Sequence, residues 1–77
     1  MTADAAARQA ISDRLAADGI SQREFARRLG VSHNWVHRHL NGDARFVLAD
    51  LEMVAAELGV PLSALLPTDD QLAQVTA

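Results

Sequence analysis

Four glycines, at positions 19, 30, 42 and 59, each close a stretch whose apolar residues recur at helical spacing. Glycine ends a helix in the left-handed conformation without the penalty that a Cβ would impose. Their positions therefore cut the 77-residue chain into short helices with almost no linker between them. Three of the four are followed at once by Ile20, Val31 and Val60, the apolar residue that packs back onto the helix just closed. Ser21 with Glu24 has the form of a capping box, Ser32 suits an N-cap, Pro61 fits a first helical turn and Pro67 stops the last one. The expected elements are five helices, over roughly 3–18, 22–29, 33–41, 47–58 and 61–66. No segment alternates with a period of two, so the expected class is all-α.

The helices have enough apolar surface to share one core. Ala7, Ile11 and Leu15 repeat every four residues in the first, and Leu48, Leu51, Val54, Ala55 and Leu58 form a stripe in the fourth. Phe25, Ala26, Leu29, Val31, Val36 and Leu40 are assigned to the same core. A chain this short makes one small domain, expected over residues 1–67. Residues 68–77, TDDQLAQVTA, read as a frayed tail, with a short sixth helix or a dimer contact as the other readings. Without cysteine there is no disulfide framework and no thiolate metal site. No apolar run nears the roughly 20 residues of a membrane span. The N-terminal stretch lacks the basic start and apolar segment of a secretory signal. The expectation is a soluble, cytoplasmic protein.

A formal net charge of −3 argues against a nucleic-acid partner until its distribution is considered. From Ser21 to Arg45 there are five arginines against Glu24 and Asp43, a local balance of +3, and the rest of the chain carries −6. Such a chain can present one basic face while its flanks stay acidic. The same stretch contains the densest polar chemistry, GVSHNWVHRHLNG. At 100° per residue, with Val36 centred on the buried side, Leu40 and His39 turn inward, Asn34, Arg38 and Asn41 outward, and His37 lies between. Ser32 and His33 sit at the helix tip. Asn can pair bidentately with adenine and Arg with guanine, so this outward face suits the major groove.

The run SQREFARRLGVSHNWVHRHLNG, followed by LADLEMVAAELGVPLSALL, resembles the Cro/repressor-like (XRE-type) helix-turn-helix family of small phage and bacterial transcription regulators. Gln22, Ala26, Gly30, Val36, Asn41 and Gly42 match the family pattern, and the likeness covers roughly residues 8–66. It implies a lambda repressor-like DNA-binding domain with the motif at helices two and three, the second of these lying in the major groove. By resemblance, Gln22 is a phosphate clamp, and Ser32, His33, Asn34 and Arg38 are base readers. His37 and Asn41 flank them near the backbone, and Arg45 reaches phosphate or the minor groove. Arg23, Arg27 and Arg28 read as a solvated face with some phosphate contact, and Arg8 and Arg14 as surface. Two departures stand out: His39 replaces a large apolar residue, and DARFV lacks the Pro-Ser start of the fourth helix.

Other chemistry fits less well. His33 and His37 are four apart, the beginning of a metal site, but a third ligand is not evident. No nucleophile motif or pocket-building segment points to an enzyme, and nothing calls for a cofactor. Trp35 reads as a ring half-buried against a neighbouring helix, or as an indole N–H directed at a DNA backbone. The resulting expectation is a sequence-specific double-stranded DNA-binding regulator, a repressor, acting as a homodimer on a palindromic operator. Its dimer surface would lie on the fifth helix and tail, with Leu62, Leu65, Leu66, Leu72 and Val75. The alternative is a protein-interaction module on the same scaffold, such as part of an antitoxin or an anti-repressor.

Overall fold

The computed structural model describes residues 2–67. It consists of α1 (Ala3–Asp18), α2 (Gln22–Leu29), α3 (His33–Asn41) and α4 (Leu48–Leu58), followed by a single 3-10 turn at Leu62–Leu65. Among the described residues there is no strand, and no helix is long and apolar enough to cross a membrane.

The caps explain why each helix starts and stops where it does. Thr2, Ser21 and Ser32 accept hydrogen bonds at their hydroxyls from the N–H groups of Ala5, Glu24 and Trp35, at 3.1, 3.1 and 3.0 Å. Each satisfies one of the orphan donors of a helix start. At the other ends, the N–H groups of Ile20, Val31 and Val60 reach back to the carbonyls of Leu15, Ala26 and Ala55 at 2.9, 3.1 and 3.1 Å. That is the six-to-one bond of a Schellman closure, with the following apolar residue folded onto the core. Gly30 carries the motif's turn at φ +77°, a backbone conformation that a side chain strains.

Three expectations are corrected. The Ser21–Glu24 box is only half made, because the Glu24 carboxylate turns to Arg27 and Arg28 instead of reaching back. The fourth helix begins at Leu48, after a Val47 cap that has no side-chain acceptor; Asp50 Oδ2 accepts from the Val47 N–H at 3.0 Å in its place. Leu48, at the first helical position, is therefore 58% exposed and outside the stripe formed by Leu51, Val54, Ala55 and Leu58. The predicted fifth helix is one 3-10 turn, since Pro61 and Pro67 leave too few residues between them for an α-helical ladder. Leu65 is buried and Leu62 half-buried in that turn, so of the proposed dimer residues in the described chain only Leu66 is exposed. The expectations for Leu72, Val75 and the rest of 68–77 lie outside the described residues.

The core is one cluster drawn from every element. Ile11 of α1, Phe25 of α2, Val36 of α3 and Val54 of α4 are fully buried, with Leu15, Ala26, Ala55, Leu58 and Leu65 around them. Leu29, Val31 and Leu40, assigned to the core from the sequence, are half-buried at its edge. α2 packs most extensively on α3, and α1 and α4 hold that pair from behind.

Candidate nucleic-acid interface

Packing fixes which face of α3 stays free. Val36 and His39 are buried, Trp35 and Leu40 half-buried, and Ser32, His33, Asn34, His37, Arg38 and Asn41 exposed. His39 is where a family member would have a large apolar side chain, and it packs as one. Its ring stacks on Trp35 with centroids 3.8 Å apart and lies 5.1 Å from Phe46, while Phe46 meets Trp35 edge-on at 6.2 Å. The remaining polarity of His39 is absorbed locally: Nδ1–H donates to the Trp35 carbonyl at 2.8 Å. Nε2 lies 3.8 Å from Asp50 Oδ2, beyond hydrogen-bond reach. The half-buried Trp35 ring thus packs against His39 of its own helix and Phe46 of the loop preceding α4, where the expectation is a neighbouring helix.

The three histidines have separate surroundings. His33 is exposed at the helix tip, His37 Nε2 faces the Asn41 amide at 3.3 Å, and His39 is inside. Among the described residues no three His, Asp or Glu side chains come together as a metal site would require. Asn41 is exposed but already engaged. Its Nδ2 donates to His37, and its Oδ1 accepts from the Asp43 N–H at 2.9 Å, which helps close α3 at Gly42.

Ion pairing sorts the arginines more sharply than the sequence did. Arg8 pairs with Asp4, and Arg14 with Asp18 at 3.1 Å, each one turn apart on α1. Arg27 and Arg28 share Glu24, and their hydrogen bonds, Arg27's first, hold its carboxyl down at about 2; the same pairing raises Arg27 above its ordinary value. Arg23, Arg38 and Arg45 form no ion pair with any described carboxylate, and all three are exposed. The free cations therefore sit on α2, α3 and the loop after α3, while Gln22, half-buried, opens α2.

Sequence reasoning missed one feature. Arg8, read as surface, and Asp4 reach the loop after α3: Asp4 Oδ1 accepts from the Phe46 N–H at 2.8 Å, across 42 residues. The i,i+4 spacing of the pair is legible, but no local signal announces its distant target.

A two-helix motif closed at a glycine, with its second helix free on one polar face, defines a helix-turn-helix protein. Residues 5–66 match the helix-turn-helix domain family, and the chain belongs to it. The fold is similar to a crystal structure of a hypothetical transcription factor, NHTF, from Neisseria, with a TM-score of 0.81 and 24% sequence identity over 96% of this chain and 85% of that one. No curated protein matches the chain.

Proposed function

We propose that this protein is a sequence-specific double-stranded DNA-binding transcriptional regulator, a repressor, that inserts α3 into the major groove and acts as a homodimer on a palindromic operator. The observation that carries the reading is the split of α3 into a packed side, Val36, His39 and Trp35, and a free polar side, Ser32, His33, Asn34 and Arg38. Arg38, exposed and without an ion-pair partner, is available for bidentate contact with guanine, and Asn34 with adenine. Ser32 both caps α3 through its oxygen and keeps its hydroxyl hydrogen for a base or phosphate. Gln22, Arg23 and Arg45 supply phosphate contacts, which position the helix without reading sequence. His37 and Asn41 brace each other at the edge of this surface. Residues 1–67 form the DNA-binding unit. Dimerisation places two reading helices one turn of DNA apart, and of the expected dimer residues in the described chain, exposed Leu66 is the one free to contribute to it.

Selection from a random pool of duplex DNA tests the proposal. An enriched palindrome is the expected result, with affinity falling steeply as salt rises. Arg38→Ala should weaken binding by about 1–3 kcal/mol and relax the preference at one base position per half-site. A pool without an enriched motif at low salt overturns the reading. Recovery of a protein partner by a chain that has no DNA affinity would favour an antitoxin or anti-repressor module.

A further inference from the structure

The loop from Gly42 to Phe46, which carries Arg45, meets α1 at both ends: Asp4 bonds Phe46, and its ion-pair partner Arg8 lies beside Gly42. Asp4 Oδ1 accepts directly from the Phe46 N–H at 2.8 Å. Asp4 Oδ2 pairs with Arg8, and the Arg8 guanidinium lies against Gly42, where an added Cβ would be 3.4 Å from Arg8 Cζ. Inside those ends, the N–H groups of Asp43 and Ala44 both go to the Arg38 carbonyl, at 2.9 and 3.1 Å. The loop borders a cleft of about 460 Å³ lined by Asp4, Arg8, Arg45, Phe46, Leu51 and Leu66, among others. The Phe46 ring is anchored against Trp35 and His39, but Asp43 and Arg45 are exposed beside the cleft, so their position depends on the hydrogen bonds that flank them. Asp4 supplies the one at Phe46.

We infer that Asp4 is a positioning residue for DNA binding, fixing through the Arg8–Gly42 and Phe46 contacts the loop that presents Arg45 to the phosphate backbone. This rests on the role proposed above for Arg45. Asp4, half-buried on α1 and already bonded twice, touches no DNA itself. Its effect is therefore on how well a free guanidinium is aimed, and it should appear only while Arg45 is present.

The test is a double-variant cycle by fluorescence anisotropy on the selected operator, across a salt series, with Arg45→Ala, Asp4→Ala, Asp4→Asn and Asp4→Ala/Arg45→Ala. Arg45→Ala should reduce the salt slope by about one per protomer. Asp4→Ala should reproduce that loss with unchanged base preference, and the double variant should bind within about twofold of Arg45→Ala. Asp4→Asn, which keeps an oxygen for the Phe46 N–H, should recover part of the affinity. Amide exchange in the free protein gives a readout independent of DNA: the Phe46 N–H should lose protection in Asp4→Ala while the α3 amides keep theirs. Wild-type affinity in Asp4→Ala, losses that multiply in the double variant, or a Phe46 amide that stays protected would overturn the inference. No effect of Arg45→Ala alone would instead remove the reading of Arg45 on which it depends.

Discussion

Replacing Gly30 by alanine isolates the turn of the motif from everything packed around it. Gly30 sits at φ +77°, ψ 26°, and a Cβ built there meets nothing within 4 Å. The substitution therefore adds no clash, and its cost is backbone strain alone, about 1–2 kcal/mol for an L-residue in the left-handed region. The smaller conformational freedom of alanine in the unfolded chain offsets a few tenths of that. A domain of this length has about 4–12 kcal/mol of stability in total, so the variant still folds. Its melting temperature should fall by about 4–8 °C for each kcal/mol lost. Even at the bottom of the stability range about 2 kcal/mol remains, leaving more than about 95% of molecules folded at 25 °C. Operator affinity at 25 °C should then be unchanged. Thermal melts by circular dichroism and anisotropy titrations on the same sample read both quantities. An unchanged melting temperature would refute the strain argument. A tenfold loss of affinity in a fully folded sample would show that the turn sets the geometry of the reading helix, contrary to the absence of any contact at this position.

Two further perturbations probe the core and the surface charge. Ile11→Ala empties a fully buried site on α1 and should destabilise the domain by about 2–5 kcal/mol in urea titrations; a loss under about 1 kcal/mol would mean that the core collapses around the gap. Glu24, held at about 2 by Arg27 and Arg28, has a folded pKa below its ordinary 4.5. Its stabilisation is therefore fully present above about pH 4.5 and is lost as pH falls towards 2, so the melting temperatures of wild type and Glu24→Gln should converge over that window. A gap that persists at pH 2 would contradict the assignment. The effect is small because the pair is solvent-exposed.

Where a helix begins or ends through residues three or four apart, its bounds are legible in the sequence. Ser21 and Gly30 bracket α2, and Ser32 and Gly42 bracket α3, because each cap is a contact within one turn. The start of α4 is harder to read, although the contact there is equally local: the cap is Val47, with no polar side chain to announce it, and only its N–H reaches the Asp50 carboxylate. The last element fails for a different reason: Pro61 and the leucines suit a helix, but the prolines allow only one tight turn. On the site, helical periodicity separates Val36 from Arg38 correctly, because burial on a short helix follows its wheel. Periodicity places His39 inside without showing how it is accommodated; the Trp35 and Phe46 rings that do so lie on its own helix and across the following loop. The hold of Asp4 on Phe46 depends wholly on the tertiary fold.

The charge pattern resolves an apparent conflict between an acidic chain and a DNA partner. Seven arginines against ten acids would repel a polyanion if all were equally free. They are not. α1 consumes two arginines internally, and Glu24 partly neutralises two more, so among the described residues the cations left without an ion-pair partner are Arg23, Arg38 and Arg45 on one stretch of chain. Each phosphate neutralised contributes about −0.9 to the salt slope, so Arg23 and Arg45, the two guanidinium groups assigned to phosphate, contribute about −2 for one protomer. Such a shallow electrostatic contribution gives weak binding by a monomer. In the proposed dimer, two protomers on a symmetric site would double the number of neutralised phosphates and bring two reading helices to bear, which would raise affinity and specificity together. Under the proposed function, the restricted set of free arginines favours discrimination over indiscriminate binding, because most of the chain's charge is acidic or internally paired and the unpaired cations lie on α2, α3 and the loop after α3.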